Sequence, residues 1–188
     1  MILPIYLYGQ PILRKETKKI NPDYPNLKEL VENMFETMYQ ADGIGLAAPQ
    51  VGLDIKLFVI DLSPLGEDDP QYLNFKKVFI NAEITESSEE VVNMQEGCLS
   101  IPGINESVTR PKKIRIKYMD ENFTEHDEVY GDFFARCIQH EYDHTNGVMF
   151  VDKISGIRKQ LVKSKLNNMI KGSVSCSYKI KPLQTKHT

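Results

Sequence analysis

Cysteine is scarce in this 188-residue chain, and its three copies, Cys98, Cys137 and Cys176, form no C-x-x-C pair. An odd and scattered set excludes a disulfide scaffold and points to free thiols in a reducing compartment. Long apolar runs are missing as well. No segment approaches the ~18 consecutive apolar residues of a membrane helix. The start, MILPIYLYG, lacks a basic region and is broken by Pro4, so it does not read as a secretory signal. It also lacks the Arg- and Ser-rich character of an organelle transit peptide. There is no internal repeat and no linker, and the composition (41% hydrophobic, 26% charged) excludes global disorder. The length suits one domain, expected over residues 1–172, followed by a basic, poorly ordered tail over 173–188. Acidic residues are nearly absent from the C-terminus. Residues 151–188 carry nine Lys/Arg against Asp152 alone, a balance of +8, so the first 150 residues hold −11 of the formal −3.

What is present reads as an α+β fold, a largely antiparallel sheet system around a central helix, with an N-terminal and a C-terminal helix. Leu27, Leu30, Val31, Met34, Phe35, Met38 and Tyr39 have helical spacing, with Asn26 as the N-cap and Gly43 as a stop. Residues 56–62 and 78–84 are rich in strand-forming aliphatics. Ile114, Ile116 and Tyr118 alternate with charges, and residues 120–122 form a hairpin turn to a return strand over 124–130. Phe133, Phe134, Cys137 and Ile138 follow helical spacing into a histidine cluster. A last helix is expected over about 154–170, with Ile157, Leu161, Leu166 and Met169 inward.

Residues 140–144, His-Glu-Tyr-Asp-His, match H-E-x-x-H. Histidines at i and i+4 lie above one another on one helical face, so both imidazoles can reach one ion. Glu141 sits one step around and can reach a water beside that ion without being a ligand. A catalytic metal needs about three protein ligands and one open position. The extended protease form, HExxHxxGxxH, fits as far as Gly147 but has Phe150 where a third histidine belongs. No glutamate follows His144, and the one downstream acid is Asp152. The third ligand should therefore lie upstream, at Cys98, His126, Cys137 or a carboxylate. Cys137, three residues before His140 on the same helix, has a poor angle for ligation. Cys98 lies in QEGCLSIPG (residues 95–103), where the backbone turns sharply and can present a sulfur. A zinc endopeptidase, and a non-catalytic closed site of Cys98, Cys137, His140 and His144, stand as alternatives.

Three blocks, GIGLAAPQVG (43–52), EGCLS (96–100) and QHEYDH (139–144), occur in the order and spacing of peptide deformylases. The chain resembles that family over nearly its whole length, in the bacterial subtype with a C-terminal helix. One departure is Thr145, where many relatives carry Leu. The resemblance implies a metallohydrolase that removes the formyl group from the N-terminal formyl-methionine of new polypeptides in the bacterial cytoplasm. It implies Cys98, His140 and His144 as metal ligands and Glu141 as general acid/base. Gln50 and the Leu99 N–H would hold the oxyanion, and the Gly45 backbone would pair with the substrate strand. It also implies Fe(II) as the native metal, with Zn, Ni or Co able to occupy the site; the donor types alone suggest zinc.

The two glycines of GIGLAAP permit close approach of another backbone, and the block matches neither a Walker loop nor a dinucleotide fingerprint. It reads as an edge onto which a peptide adds as a strand. Ile44, Phe133, Cys137 and the stem of Arg136 are candidates for a methionine side-chain pocket. Glu96 and Arg110 are expected to pair in support of the Cys98 loop. The basic C-terminal segment suits a negatively charged surface, such as ribosomal RNA near the exit of the nascent chain. No membrane or DNA partner is expected.

Overall fold

The computed structural model describes residues 1–183. A short strand β1 (Ile5–Tyr6) precedes helix α1 (Leu27–Gln40), whose Leu27, Val31, Met34, Phe35 and Met38 face the core. Asn26 does precede the helix, but it is left-handed (φ 54°) and its side chain makes no capping bond; the helix stops before Gly43. Strands β2 (Gly45–Ala47), β3 (Leu57–Asp61) and β4 (Lys76–Ser87) follow, and all five residues of β3 are buried. Next come β5 (Val91–Cys98), β6 (Ile101–Pro111), β7 (Lys113–Met119) and β8 (Glu125–Gly131). The chain then enters helix α2 (Asp132–Thr145), helix α3 (Gly156–Ile170) and a two-residue strand β9 (Ile180–Lys181).

The main sheet has the order β2-β3-β4-β7-β8, with every pair antiparallel. Strands β5 and β6 form a separate antiparallel hairpin, and β1 pairs in parallel with β9. The expected α+β class, with helices near both ends, is what is found. Helix α2 runs between the sheet and the hairpin. Its Ala135, Cys137 and Ile138 pack with Phe58, Ile60, Phe79, Ile114 and Ile116 of the sheet. The hairpin contributes Ile104 and Val108 to a second core with Phe150, Val162 and Met169. An amphipathic helix buried on two sides must place polar residues inside, and α2 does so with Arg136, Gln139, Glu141 and His144.

The β5–β6 hairpin was not legible as strands. Several of its inward positions carry charge: Glu96, Glu106 and Arg110 are buried in the alternation normally filled by aliphatics. Helix α3 begins at Gly156, two residues later than expected, capped by Ser155 Oγ accepting from Arg158 N at 3.3 Å. Its inward face is as expected at Met169, which is buried, and at Leu166, which packs on the same cluster; Val162 joins them, whereas Ile157 and Leu161 are 77% and 63% exposed. Part of the expected tail, residues 173–183, lies among the described residues. β9 is hydrogen-bonded to β1, with Ile5 N donating to Lys179 O at 2.9 Å and Leu7 N to Lys181 O at 3.1 Å. Residues 184–188 of that tail lie outside the described residues.

This orientation of α3 sets an expected contrast in stability. Met169→Ala should lower the unfolding free energy by about 2–5 kcal/mol, whereas Leu161→Ala should stay within about 0.5 kcal/mol of the wild type. Urea unfolding midpoints at constant slope measure both.

Candidate metal centre

Ligating atoms of Cys98, His140 and His144 lie within 4.8 Å of one another. His140 and His144 occupy adjacent turns of α2, with ring centroids 5.1 Å apart. Cys98 ends β5, so the trio joins the hairpin to the helix. Cys98 Sγ is 3.3 Å from His144 Nε2. That separation is close to the roughly 3.5 Å edge of a tetrahedron with Zn–S and Zn–N bond lengths. One thiolate and two imidazoles on three corners leave a fourth open, so the donor set fits a catalytic metal. Cys137 stays outside the trio, buried against the sheet, and its thiol is pushed well above the usual range by that burial. His126 pairs instead with Asp120, Nε2 to Oδ2 2.9 Å, on the far sheet edge. Phe150 stacks on His140 with centroids 6.0 Å apart rather than replacing a ligand.

One buried carboxylate holds this assembly. Glu96 Oε1 accepts from Arg110 Nε at 2.5 Å and from Arg136 Nη1 at 3.0 Å; Oε2 accepts from Arg110 Nη2 at 3.0 Å. His140 Nδ1 lies 3.2 Å from Glu96 Oε2, which turns Nε2 of the ring toward the other ligands. Burial opposes ionisation of Glu96. The hydrogen bonds from His140 and Arg110 outweigh it and hold the carboxyl well below its usual range. Burial also works against a charged His140, but contacts with Cys98 and Glu96 leave it raised. His144 is pushed down by burial and by the neighbouring His140. Arg110 also donates from Nη1 to Asp143 Oδ2 at 2.7 Å, tying the outer turn of α2 to β6. The expected Glu96–Arg110 pair is present. Arg136 is more than the apolar stem expected of it, because its head donates to Glu96, Val108 O (2.8 Å) and Val92 O (2.6 Å).

Glu141 is fully enclosed, and its Oε2 has no hydrogen-bond partner among the described residues. Burial raises its pKa to about 7. A cation on the adjacent ligands would draw it back toward ionisation. Gly45 sits against it: a Cβ there would come within 2.4 Å of Glu141 Oε1. Gln50, on a 3-10 turn (Ala48–Val51), is buried with its amide orientation set. Its Oε1 accepts from Ala47 N at 2.8 Å, which turns Nε2 toward Ser100 Oγ (3.1 Å) and Cys98 Sγ (3.5 Å). Thr145, beside His144, donates its hydroxyl to Tyr142 O at 2.7 Å and leaves the trio untouched.

A cavity of about 450 Å³ opens beside these groups. Its lining includes Ile44, Gly45, Gln50, Cys98, Leu99, Phe133, Arg136, Cys137, His140 and Glu141, so these expected site residues share one space; His144 lies behind them. On one side is β2, an edge strand of the main sheet. On the other, β5 and β6 go out of register, from Glu96 opposite Glu106 to Cys98 opposite Ile101. Gly97 thereby faces a bulge of residues 102–105, with Gly103 at φ 74°. Sequence reasoning missed Gly97, Asn105 and Tyr178, all of which line the cavity. Gly97 stood in a quoted motif and Asn105 carried no signal. Tyr178 had one: Val174, Cys176, Tyr178 and Ile180 alternate with polar residues.

A family profile described as Polypeptide deformylase matches residues 2–160. The chain is 48% identical to the peptide deformylase of Christiangramia forsetii, covering 96% of both chains. It is 46% identical to that of Salinibacter ruber, covering 99% of this chain and 96% of the relative. Among solved structures, peptide deformylase 1B of Arabidopsis thaliana in complex with an inhibitor superposes with a TM-score of 0.81 at 38% identity, covering 91% of this chain and 92% of that one. A peptide deformylase from Legionella pneumophila gives 0.80 at 34%, covering 92% and 98%.

Removing the Glu96 charge should leave Arg136 uncompensated and Arg110 with Asp143 alone. Glu96→Gln is expected to lower unfolding free energy by about 3–5 kcal/mol. The depressed pKa of Glu96 contributes stability that is complete above its ordinary value of 4.5 and is lost as pH falls below it. Acid unfolding should therefore be shallower in the variant than in the wild type, measured by denaturant titration between neutral pH and pH 3.

Proposed function

The chain belongs to the polypeptide deformylase family, and from that premise we propose how its residues carry the reaction. It is a hydrolase that removes the formyl group from the N-terminal methionine of nascent polypeptides, and the family is metal-dependent. In our reading Cys98, His140 and His144 hold the ion. The observation that carries this reading is the convergence of one thiolate and two imidazoles beside the enclosed carboxylate of Glu141. When bound, a divalent ion there supplies Lewis acidity toward water and a carbonyl oxygen. We assign Fe(II) as the native metal from the family resemblance, with Zn, Ni or Co fitting the same donors.

A formamide is a weak electrophile and neutral water a weak nucleophile. Glu141 takes a proton from the attacking water as its oxygen bonds to the formyl carbon. It then gives that proton to the methionine nitrogen as the carbon–nitrogen bond breaks, releasing formate and a free amine. Negative charge gathers on the carbonyl oxygen in between. Gln50 Nε2 and the Leu99 N–H donate to it, and losing one such donor typically costs about 2.7–4 kcal/mol of barrier. The substrate backbone adds along Gly45 at the open edge of β2. Its methionine side chain enters the apolar wall of Ile44, Phe133 and Cys137, backed by the stem of Arg136 and supported by their packing in one cluster.

We read residues 1–172 as the catalytic domain and place the reaction in the bacterial cytoplasm, in keeping with the bacterial relatives. Among the described residues no helix is long and apolar enough to cross a membrane. The exposed Ile157, Leu161, Lys159 and Lys163 of α3 support a contact with the ribosome near the emerging chain. Lys159→Glu with Lys163→Glu should weaken ribosome co-sedimentation at low salt; equal sedimentation at every salt concentration would end that idea.

Glu141→Gln is the direct test of the chemistry. It should retain stoichiometric metal while formate release from formyl-Met-Ala-Ser falls at least about 100-fold. A variant that keeps wild-type turnover would remove Glu141 from the proposed role.

A further inference from the structure

The cavity meets both faces of the main sheet. Along β3 the side chains alternate, with Leu57 and Val59 packed in one cluster with α1 and Phe58 and Ile60 in another with α2. Ile44, Phe133 and Cys137, the wall given to the methionine side chain, belong to the α2 cluster. Leu99 and Tyr178 pack against the α1 cluster, and both also line the cavity.

A peptide seated along Gly45 has one way out. After Gly45, Leu46 and Ala47 are fully buried, and Ala47 N is already taken by Gln50 Oε1. Before it, Gly43 is half-buried and Asp42 exposed, and both line the cavity. The residue that follows methionine therefore comes beside Gly43. Successive side chains of an extended strand point to opposite faces. With methionine turned to the α2 face, the second residue turns to the α1 face.

On that face the exit carries an apolar ledge. Leu99 reaches across from the end of the hairpin, so that a Cβ on Gly43 would come within 2.7 Å of Leu99 Cδ1. Tyr178 stands beside it, its hydroxyl donating to Leu99 O at 2.7 Å. Tyr178 lies beyond residue 160, where the family match ends, and has no part in the roles above. It arrives on a C-terminal segment in which half-buried Cys176, Tyr178 and Ile180 alternate with exposed Ser175, Ser177 and Lys179. The β1–β9 pairing and Gln10 Nε2, donating to Pro182 O at 2.8 Å, anchor that segment just past the ring. A ring already held in place costs little ordering when a side chain packs on it.

We propose that Tyr178, together with Leu99, is a specificity-determining residue that receives the side chain of the second substrate residue and favours a large apolar one. The inference rests on the pairing of the substrate strand along Gly45 given above.

The test compares formyl-Met-Leu-Ser with formyl-Met-Ala-Ser on one metal-loaded preparation. The ratio of their kcat/KM values does not depend on how much of a variant folds. Partial burial of the larger side chain should make the ratio about 5–10 in the wild type. Tyr178→Ala should bring it to about two or less, and Tyr178→Phe, which keeps the ring, should preserve it. The ratio for the third residue, formyl-Met-Ala-Leu against formyl-Met-Ala-Ser, should be the same in wild type and Tyr178→Ala. Equal wild-type rates, a second-residue preference that survives Tyr178→Ala, or one lost as fully in Tyr178→Phe would overturn the assignment. So would a change confined to the third-residue ratio. Formate release from none of these peptides would defeat the deformylase reading itself, and this assignment with it.

Discussion

Glu96 is the buried charge on which the site depends. It sits at the end of β5, one residue from the bulge and two from Cys98, and accepts from three side chains on two other elements. An isolated carboxylate in such a place costs several kcal/mol to desolvate. Here Arg110 supplies two parallel bonds, Arg136 one, and His140 a fourth contact. The exchange is nearly neutral in stability and large in geometry. A hydrophobic replacement could pack the same space, but it could not orient an imidazole. Because Glu96 engages Nδ1 of His140, Nε2 is directed inward, and because Arg110 also reaches Asp143, the helix cannot slide along the hairpin without breaking charged bonds. The ligand trio inherits its spacing from this clamp.

The substrate side follows a different rule. Both walls of the cavity leave backbone open: β2 because it is a sheet edge, and β5 because its register breaks opposite residues 102–105. Sheet edges and bulges are ordinarily hazards, exposing unpaired donors and acceptors. A deformylase meets an extended chain terminus, and an open edge beside the reactive carboxylate turns the hazard into a seat. Glycine is required at Gly45 because any side chain would collide with Glu141. The enclosed carboxylate and the open edge thus come from one contact.

Much of this is legible in the sequence, and the limits have physical causes. The H-E-x-x-H spacing puts His140 and His144 on one helical face, and the shortage of acids after His144 directs attention upstream to Cys98. The β7–β8 hairpin was visible because Ile114, Ile116 and Tyr118 alternate cleanly. The β5–β6 hairpin was hidden because its core-facing positions hold Glu96, Glu106 and Arg110, residues that signal surface in a one-dimensional pattern. In helix α3 the second half faces inward as its periodicity indicates, through Leu166 and Met169, but Ile157 and Leu161 fit the same periodicity and stay exposed while Val162 is buried. The C-terminal segment has few apolar residues and many lysines, yet from Val174 to Ile180 it keeps a period of two. Arg136 shows a further limit, since its position on α2 marks the pocket while its head group belongs to the clamp.

The opening scarcity of cysteine now divides by environment. Cys98 stands in the trio that could hold a metal, Cys137 packs behind the pocket, and Cys176 lies half-buried in the C-terminal segment beside Tyr178. The central claim is that a metal on Cys98, His140 and His144 and the release of formate are one site. It is tested most directly by metal content and formate release from a formyl-Met peptide on a single anaerobic preparation. The expected result is about one divalent ion per chain, turnover in proportion to metal, and loss of both in Cys98→Ala. Formate release that persists in fully metal-free protein would contradict it.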